Sequence, residues 1–371
     1  MKNKAVSVYH HGRLVGRLAQ TKSGVTAFEY ASAWLEDGFS ISPFELPLKK
    51  QVFIASKEPF DGLFGVFNDS LPDGWGRLII DRLLRKQSIN PSAVSPLERL
   101  CIVGKSGMGA LEYEPVTPLF DKFDVGRSDL DELATAVEKV LQNEETAHLE
   151  HLIQISGSSG GARPKVLIKI DGEDWLIKFP SRHDDKNIGL QEFNCSVLAR
   201  SAGITMSETK LFNGKYFGTK RFDRLPSGKK VHMLSLAGLL NDNYRLPSLD
   251  YIQVMGATLA LTHNFEEVAE MYRRMCFNVF IGNLDDHSRN FSFIYDGHKW
   301  QVSSAYDLVE SQGLSGEHAT MVGGLGKNIT EENLMSIAVE VGLANNRAKD
   351  ILEQVRGVCH DLDFDECVQK N

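Results

Sequence analysis

The sequence predicts an α+β protein of more than one domain, and three observations carry that prediction. The chain has 371 residues, beyond the length at which a single hydrophobic core normally keeps growing. Strand-like runs bounded by turn residues occur in two separate regions, Val6 to Ile54 and Ile153 to Lys220. Beyond about Ser235 apolar residues recur at helical spacing, interrupted by one strong hairpin pattern at Phe291–Val302.

Three domains follow from this pattern, at 1–115, 116–234 and 235–371. In the first, strands are expected at Val6–Tyr9, Val25–Tyr30 and Val52–Ile54. They lead into the punctuated segment Phe67-Asn68-Asp69-Ser70-Leu71-Pro72-Asp73-Gly74-Trp75-Gly76, and then a helix over Arg77–Lys86 with Leu78, Ile79, Leu83 and Leu84 at helical spacing. A polar stretch and an amphipathic helix near Ser128–Leu141 open the second domain. From Ile153 onward strands are expected around a glycine-rich loop.

Composition narrows the function. Apolar residues make up 42% and charged residues 24%, the balance of a folded globular protein. No run of about 18 apolar residues appears, and the N-terminus MKNKAVSVYHHGRLVGRL lacks an apolar signal core. A cytoplasmic protein with no membrane contact is expected. The net charge of −8 argues against direct nucleic-acid binding by the chain as a whole. Cys101, Cys195, Cys276, Cys359 and Cys367 are scattered, odd in number and never spaced as CxxC, which argues against a disulfide framework or structural zinc. Gly104-Lys105-Ser106 suggests a P-loop, but that motif needs a glycine where Arg99 stands. A turn is expected there instead.

The strongest chemical signal is Gly282-Asn283-Leu284-Asp285-Asp286-His287-Ser288-Arg289-Asn290. Protein kinases place a base aspartate five residues before a metal-binding asparagine. Asp285 and Asn290 have that spacing, whereas Asp286 is one residue short. Asp285 is therefore expected to accept the proton of the substrate hydroxyl, and Asn290 to ligate magnesium. The strand Phe291–Tyr295, an Asp296-Gly297 type I′ turn and the return strand Lys299–Val302 should form a hairpin. A two-residue turn would set Asn290 opposite Ser303 and bring Tyr306-Asp307-Leu308 back to the level of the loop. Asp307 then stands where kinases keep their second metal ligand. Two hard oxygen ligands, with ATP phosphates and water completing the shell, suit magnesium. The alternative is that Asp307 only caps a following helix.

The other half of a nucleotide site is expected upstream. In Ile155-Ser156-Gly157-Ser158-Ser159-Gly160-Gly161-Ala162-Arg163-Pro164-Lys165 the small residues Ser158, Ser159, Gly160 and Gly161 offer backbone N–H groups to phosphates. As a bland alternative the segment is a solvated turn. Lys178, inside the apolar strand Trp175-Leu176-Ile177-Lys178-Phe179, supplies a charge for the α- and β-phosphates or snorkels at an edge. Lys220-Arg221-Phe222-Asp223-Arg224 ends another strand and suits a hinge meeting adenine. Glu192, at the start of a helix over Gln191–Ser201, is a candidate partner for Lys178 or simply favours the helix dipole.

Taken together, GSSGGARPK, WLIKFP, KRFDR, NLDDHSRNFS and AYDL, with FNDSLPDGWGR and GMGALEYEP before them, resemble the HipA family of bacterial toxin kinases over nearly the whole chain. The resemblance implies a bilobal protein-kinase-like fold with an additional N-terminal α+β subdomain and a mainly helical C-lobe. It implies ATP and Mg²⁺ as cofactors and serine/threonine protein kinase activity. A HipB-like DNA-binding antitoxin is the implied partner, so that DNA is met only through it. An aminoacyl-tRNA synthetase such as glutamyl-tRNA synthetase is the implied kind of target. By the same resemblance Ser158 is the autophosphorylated serine, with Ser156 and Ser159 as neighbouring rivals. Lys165 and Lys178 contact phosphate, Lys220 and Phe222 form the adenine hinge, Asp285 is the base, and Asn290 and Asp307 hold the metal. This chain departs from the family's A-G-A-Q-E-K loop with Gly160-Gly161-Ala162-Arg163-Pro164-Lys165, where Pro164 fixes φ. A small-molecule or lipid kinase, and a kinase-fold corepressor working with an antitoxin, are the alternative functions.

Overall fold

Period-two burial builds the first sheet: Val6 and Val8 in β1 (Ala5–His10) and Thr26, Phe28 and Tyr30 in β3 (Thr26–Tyr30) face the core, and the residues between them face outward. The computed structural model describes residues 4–119, 129–156, 160–182, 184–185, 187–313 and 316–360. They fall into two compact units, drawn from Met1–Gly189, Lys210–Leu234 and Gly238–Asn241 for the first and from Leu190–Thr209, Ser235–Ala237 and Asp242–Asn371 for the second.

The first unit opens with a five-stranded antiparallel sheet. Its strands are β1, β2 (Arg13–Gln20), β3, β4 (Val52–Ile54) and β5 (Leu111–Glu114), in the order β4-β3-β2-β1-β5. Strand β2 was not legible in the sequence because Gly16 interrupts it. A Cβ at Gly16 would lie 2.6 Å from the Phe28 ring, so the glycine is what lets β3 pack across it. The short helices α1 (Ser32–Asp37) and α2 (Gly65–Asn68) precede α3 (Gly74–Lys86) and α4 (Pro96–Val103). Helix α4 starts on a Ser95/Glu98 capping box. Gly104, the residue of the apparent P-loop, ends that helix at φ 54°.

Helices α5 (Leu130–Leu141) and α6 (Leu149–Ser156) lead to a second sheet, ordered β6-β7-β9-β8. Its strands are β6 (Lys165–Ile170), β7 (Glu173–Lys178), β8 (Thr209–Phe212) and β9 (Tyr216–Lys220). The apolar run at Ile153 is helical rather than extended. Leu149, Leu152, Ile153 and Ile155 are all buried, a spacing that wraps one helix face. Trp75, Ile79 and Leu83 of α3 share a single core with Leu152, Trp175, Ile177 and Phe179.

The first unit also holds a buried histidine, His232, beside the half-buried His10. His232 is 1% exposed, 2.9 Å from the Ile41 carbonyl through Nε2, and its ring lies 6.3 Å from that of His10. Burial pushes His232 down to about 4. Burial, with His232 second, pushes His10 down to about 3. Unfolded histidine takes up its proton near pH 6.5, so below that pH the unfolded chain binds more protons and stability falls as pH falls. Half-buried Glu45, raised to about 7 mainly by desolvation, works in the opposite direction. His232→Gln is therefore expected to lose less stability than wild type between pH 7 and 5, by about 2 kcal/mol. Denaturant midpoints of the two proteins at both pH values check this; identical pH dependence would remove His232 from the account.

The second unit is mainly helical. Helix α7 (Ile188–Ser201) contributes most of its length to it. The chain passes between the units at β10 (His232–Ser235) and α8 (Leu236–Leu240). Helix α9 (Tyr251–Thr262) begins on an Asp250/Gln253 capping box. Helix α10 (Phe265–Ile281) packs against α9 and α12 (Asn345–His360), with α11 (Glu331–Glu340) against α12.

The hairpin forms from β11 (Ser292–Tyr295) and β12 (Trp300–Val302), but in a different register from the one expected. Tyr295 pairs with Trp300 and Phe293 with Val302, so the loop spans four residues, 296–299, instead of two. The Asp296 side chain causes the difference. Its Oδ1 accepts N–H bonds from His298 (2.8 Å) and Lys299 (2.9 Å), which stabilises the longer turn. A shift of two keeps every side chain on its own face.

Among the described residues no helix is long and apolar enough to cross a membrane. Cys101, Cys195, Cys276 and Cys359 are buried thiols outside any disulfide, and Cys367 lies outside the described residues.

Candidate active site

Helix α10 ends where Gly282 adopts φ 67°, the left-handed cap that glycine tolerates, and this turns the chain into the loop 283–290. The two aspartates of that loop have opposite environments. Asp285 is 54% exposed, with His287 Nε2 3.9 Å from its Oδ1. Asp286 is 1% exposed. Its Oδ2 accepts from Tyr251 Oη at 2.7 Å and lies 3.0 Å from His318 Nδ1, while its Oδ1 accepts the Thr320 N–H at 3.1 Å. A carboxylate so enclosed has no path to a substrate hydroxyl, whereas Asp285 stands open to one.

Asn290 closes a short turn. Its Nδ2 donates to the Asp285 carbonyl at 2.8 Å, which commits the nitrogen and leaves Oδ1 as the atom a hard cation would use. Tyr306 ties the returning chain to the loop: its hydroxyl donates to the Arg289 carbonyl at 2.8 Å and pairs with Ser292 Oγ at 2.5 Å. The next residue, Asp307, sits at φ 54°, a left-handed conformation that few non-glycine residues adopt and that aspartate tolerates best. Its backbone carbonyl accepts from Asn283 Nδ2 at 3.2 Å. Asn283 also donates to Asn278 Oδ1 at 2.9 Å, and Asn278 in turn donates to Tyr251 Oη at 2.9 Å. One buried polar network therefore fixes Asp307 and the loop bearing Asp285 and Asn290. Among the described residues no group of three or more His, Cys, Asp or Glu side chains could cage a metal. The carboxylate-plus-amide pair fits a cation that shares its shell with phosphates.

In the first unit, Lys165 of β6 and Lys178 of β7 are cross-strand partners, 5% and 9% exposed. Like charges placed opposite one another on a sheet repel, and such a pair favours an anion nearby. Lys165 Nζ donates to the Gly160 carbonyl at 2.5 Å, and Lys178 Nζ lies 5.5 Å from the centre of the Phe217 ring. Gly161 has φ 91°, and a Cβ there would stand 2.6 Å from Lys165 Nζ. Ser158 and Ser159 lie outside the described residues. Glu192 is buried on α7 and belongs to the second unit, whereas Lys178 belongs to the first.

Two features of the expected nucleotide half were not foreseen from the sequence. Asp73 accepts the Gly161 N–H, Trp75 N–H donates to the Gly161 carbonyl at 3.2 Å, and Trp75 Nε1 donates to Ser156 Oγ at 3.1 Å. The Pro72-Asp73-Gly74-Trp75 turn thus grips the chain on both sides of the glycine–serine loop. The segment after Lys220 is held as firmly. Asp223, 1% exposed, accepts from Arg221 Nη2 and Arg224 Nη1 at 2.7 Å each and from the Gly109 N–H at 2.8 Å. Burial would raise its pKa, but the two guanidinium groups and the Gly109 N–H outweigh burial and hold it low. Lys220 pairs with Glu173, and Phe222 is half-buried beside this cluster. The signal was present in the sequence, in GMGALEYEP and KRFDR, but nothing there said that the two meet.

Comparison with known proteins matches residues 6–114 to the HipA N-terminal domain and residues 157–361 to the HipA-like C-terminal domain. Two Sinorhizobium fredii proteins are similar over most of their length. "Putative kinase Y4dM" is 24% identical over 334 residues, covering 84% of this chain and 78% of that protein. "Putative kinase Y4mE" is 25% identical over 383 residues, covering 89% and 83%. Among solved structures, the Shewanella oneidensis toxin–antitoxin complex of HipA, HipB and operator DNA contains a chain of the same fold. Its TM-score is 0.74 at 18% identity, covering 98% of this chain and 93% of that one.

Proposed function

The chain belongs to the HipA family, and we propose that it is an ATP- and magnesium-dependent serine/threonine protein kinase, the toxin of a toxin–antitoxin pair. The observation that carries this reading is the second unit's arrangement of an exposed Asp285, an Asn290 whose amide nitrogen is already engaged, and an Asp307 fixed by the same network. Asp285 accepts the proton of the substrate hydroxyl as that oxygen attacks the γ-phosphorus, and ADP leaves with the bond to its β-phosphate oxygen broken. Asn290 Oδ1 and the Asp307 carboxylate would hold Mg²⁺, which supplies neutralisation of the phosphate charge. Ser158, Ser159, Gly160 and Gly161 offer backbone to the phosphates, Lys165 and Lys178 offer charge, and Lys220 and Phe222 flank the adenine.

The partner on this reading is a HipB-like DNA-binding antitoxin, through which alone the kinase meets DNA. The target is a cytoplasmic protein, with aminoacyl-tRNA synthetases such as glutamyl-tRNA synthetase as the first class to test. Ser158 is the proposed site of autophosphorylation. A phosphate there carries about −1.5 to −2 charges and competes with ATP for Lys165 and Lys178. Incubating the purified chain with ATP, Mg²⁺ and a cell lysate, followed by phosphosite mapping, is expected to yield phosphoserine or phosphothreonine on a protein target and on Ser158. Phosphate found only on small molecules would overturn the protein-kinase reading, and an unmodified loop would overturn the autophosphorylation site.

A further inference from the structure

We propose that the segment His318–Thr320 is a positioning brace for Asp285, so that Thr320 and His318 set the turnover rate without touching the nucleotide. The proposal rests on the kinase reading for what Asp285 does, and on separate observations for how it is held.

Asp285 is exposed, and an exposed side chain on an irregular loop is held only as well as its backbone. Its two neighbours are both gripped from the same place. The Leu284 carbonyl, before it, accepts the Ala319 N–H at 3.1 Å. The Asp286 carbonyl, after it, accepts Thr320 Oγ1 at 2.5 Å. The Asp286 side chain is then bound on both oxygens, by the Thr320 N–H and by His318 and Tyr251. With the Asn290 amide on the Asp285 carbonyl, three consecutive carbonyls, 284, 285 and 286, have named donors.

The brace has its own footing. The His318 N–H donates to the Gly326 carbonyl at 2.7 Å, the Met321 N–H to Leu249 at 2.9 Å, and the Tyr251 N–H back to Met321 at 2.9 Å. The segment is thus anchored at the N-terminus of α9, where Tyr251 also supplies its hydroxyl to Asp286. His318 and Thr320 are buried and spend their polar groups on Asp286, which makes positioning their role. Buried polar groups joined this densely rigidify a loop when every member is satisfied. Displacement of a reacting group by about 1 Å costs up to roughly 100-fold in rate.

Thr320 permits a clean test, because two substitutions separate hydroxyl from shape. Thr320→Val keeps the shape and the backbone N–H but leaves the Asp286 carbonyl without its donor, whereas Thr320→Ser keeps the hydroxyl and loses a methyl group. Thr320→Val is expected to lower kcat roughly tenfold or more with KM for ATP unchanged, and Thr320→Ser to retain kcat within about twofold even where its Tm drops further. If Val retains kcat, or if both variants lose activity in proportion to Tm, the residue is structural only and the proposal falls. Hydrogen exchange separates this failure from failure of the kinase reading. Selectively faster exchange of the amides at 284–287 in Thr320→Val upholds the brace even where wild type transfers no phosphate. Unchanged exchange there sinks the brace whatever the activity.

Discussion

Asp285→Asn is expected to lower phosphoryl transfer by roughly 100- to 10,000-fold, the usual contribution of a positioned general base, while ATP affinity stays within a few-fold. The substitution is nearly isosteric and removes only the group that takes the hydroxyl proton. That interaction strengthens in the transition state and is absent from nucleotide binding, so the loss belongs to kcat rather than to affinity. Folding should be nearly indifferent, because Asp285 is 54% exposed and its contact with the Asn290 amide is made by its backbone carbonyl, which the variant keeps. Asp286→Asn makes the informative contrast. That carboxylate is 1% exposed and bound to Tyr251, His318 and Thr320, so its replacement leaves donors facing donors and lowers Tm as well as activity. Single-turnover transfer, nucleotide titration and thermal melting on both variants decide the matter. Transfer by Asp285→Asn at near wild-type rate, with Asp286→Asn folded but inactive, would move the base to the neighbouring residue despite its burial.

The choice between those two aspartates shows what a sequence can disclose. Spacing alone favoured Asp285, since it stands five positions before Asn290. What the sequence could not show is why Asp286 is present at all. Its partners Tyr251, His318 and Thr320 lie more than 30 residues away on either side, and no local pattern marks them. Strands with regular alternation, such as β1 and β3, were legible because burial of one face imposes period two. Strand β2 and helix α6 were not. A glycine demanded by a neighbouring strand broke the pattern of the first, and a short apolar run fits either period in the second. The hairpin was placed correctly and its register was not, because the Asp296 side chain outcompeted the two-residue turn that Asp-Gly favours. Neither the grip of Asp73 and Trp75 on Gly161 nor that of Gly109 on Asp223 could be inferred, since both join segments about 90 or more residues apart.

Asp307→Asn is expected to abolish most of the Mg²⁺-dependent part of ATP affinity, a loss of roughly tenfold or more, about 1.4 kcal/mol or above, while affinity measured without Mg²⁺ hardly changes. The choice of asparagine matters. Asp307 holds φ 54°, a conformation that costs most L-residues about 1 kcal/mol and that aspartate and asparagine tolerate. Alanine would therefore mix backbone strain with loss of a ligand, whereas asparagine removes only the negative charge. The backbone carbonyl that accepts from Asn283 is unaffected, so the loop bearing Asp285 and Asn290 keeps its anchor. Arg289→Ala serves as the control from the same loop. The Arg289 side chain donates to Tyr244 Oη at 2.9 Å and stacks over that ring, while the link to Tyr306 runs through the Arg289 backbone carbonyl. It should leave the Mg²⁺-dependent affinity unchanged. Titrating ATP with and without Mg²⁺ across wild type and both variants gives the comparison. A specific fall for Asp307→Asn assigns the carboxylate to the metal. Equal falls for the two variants would make the effect a general loosening of the loop, and Asp307 would then be only the residue that can occupy that left-handed turn.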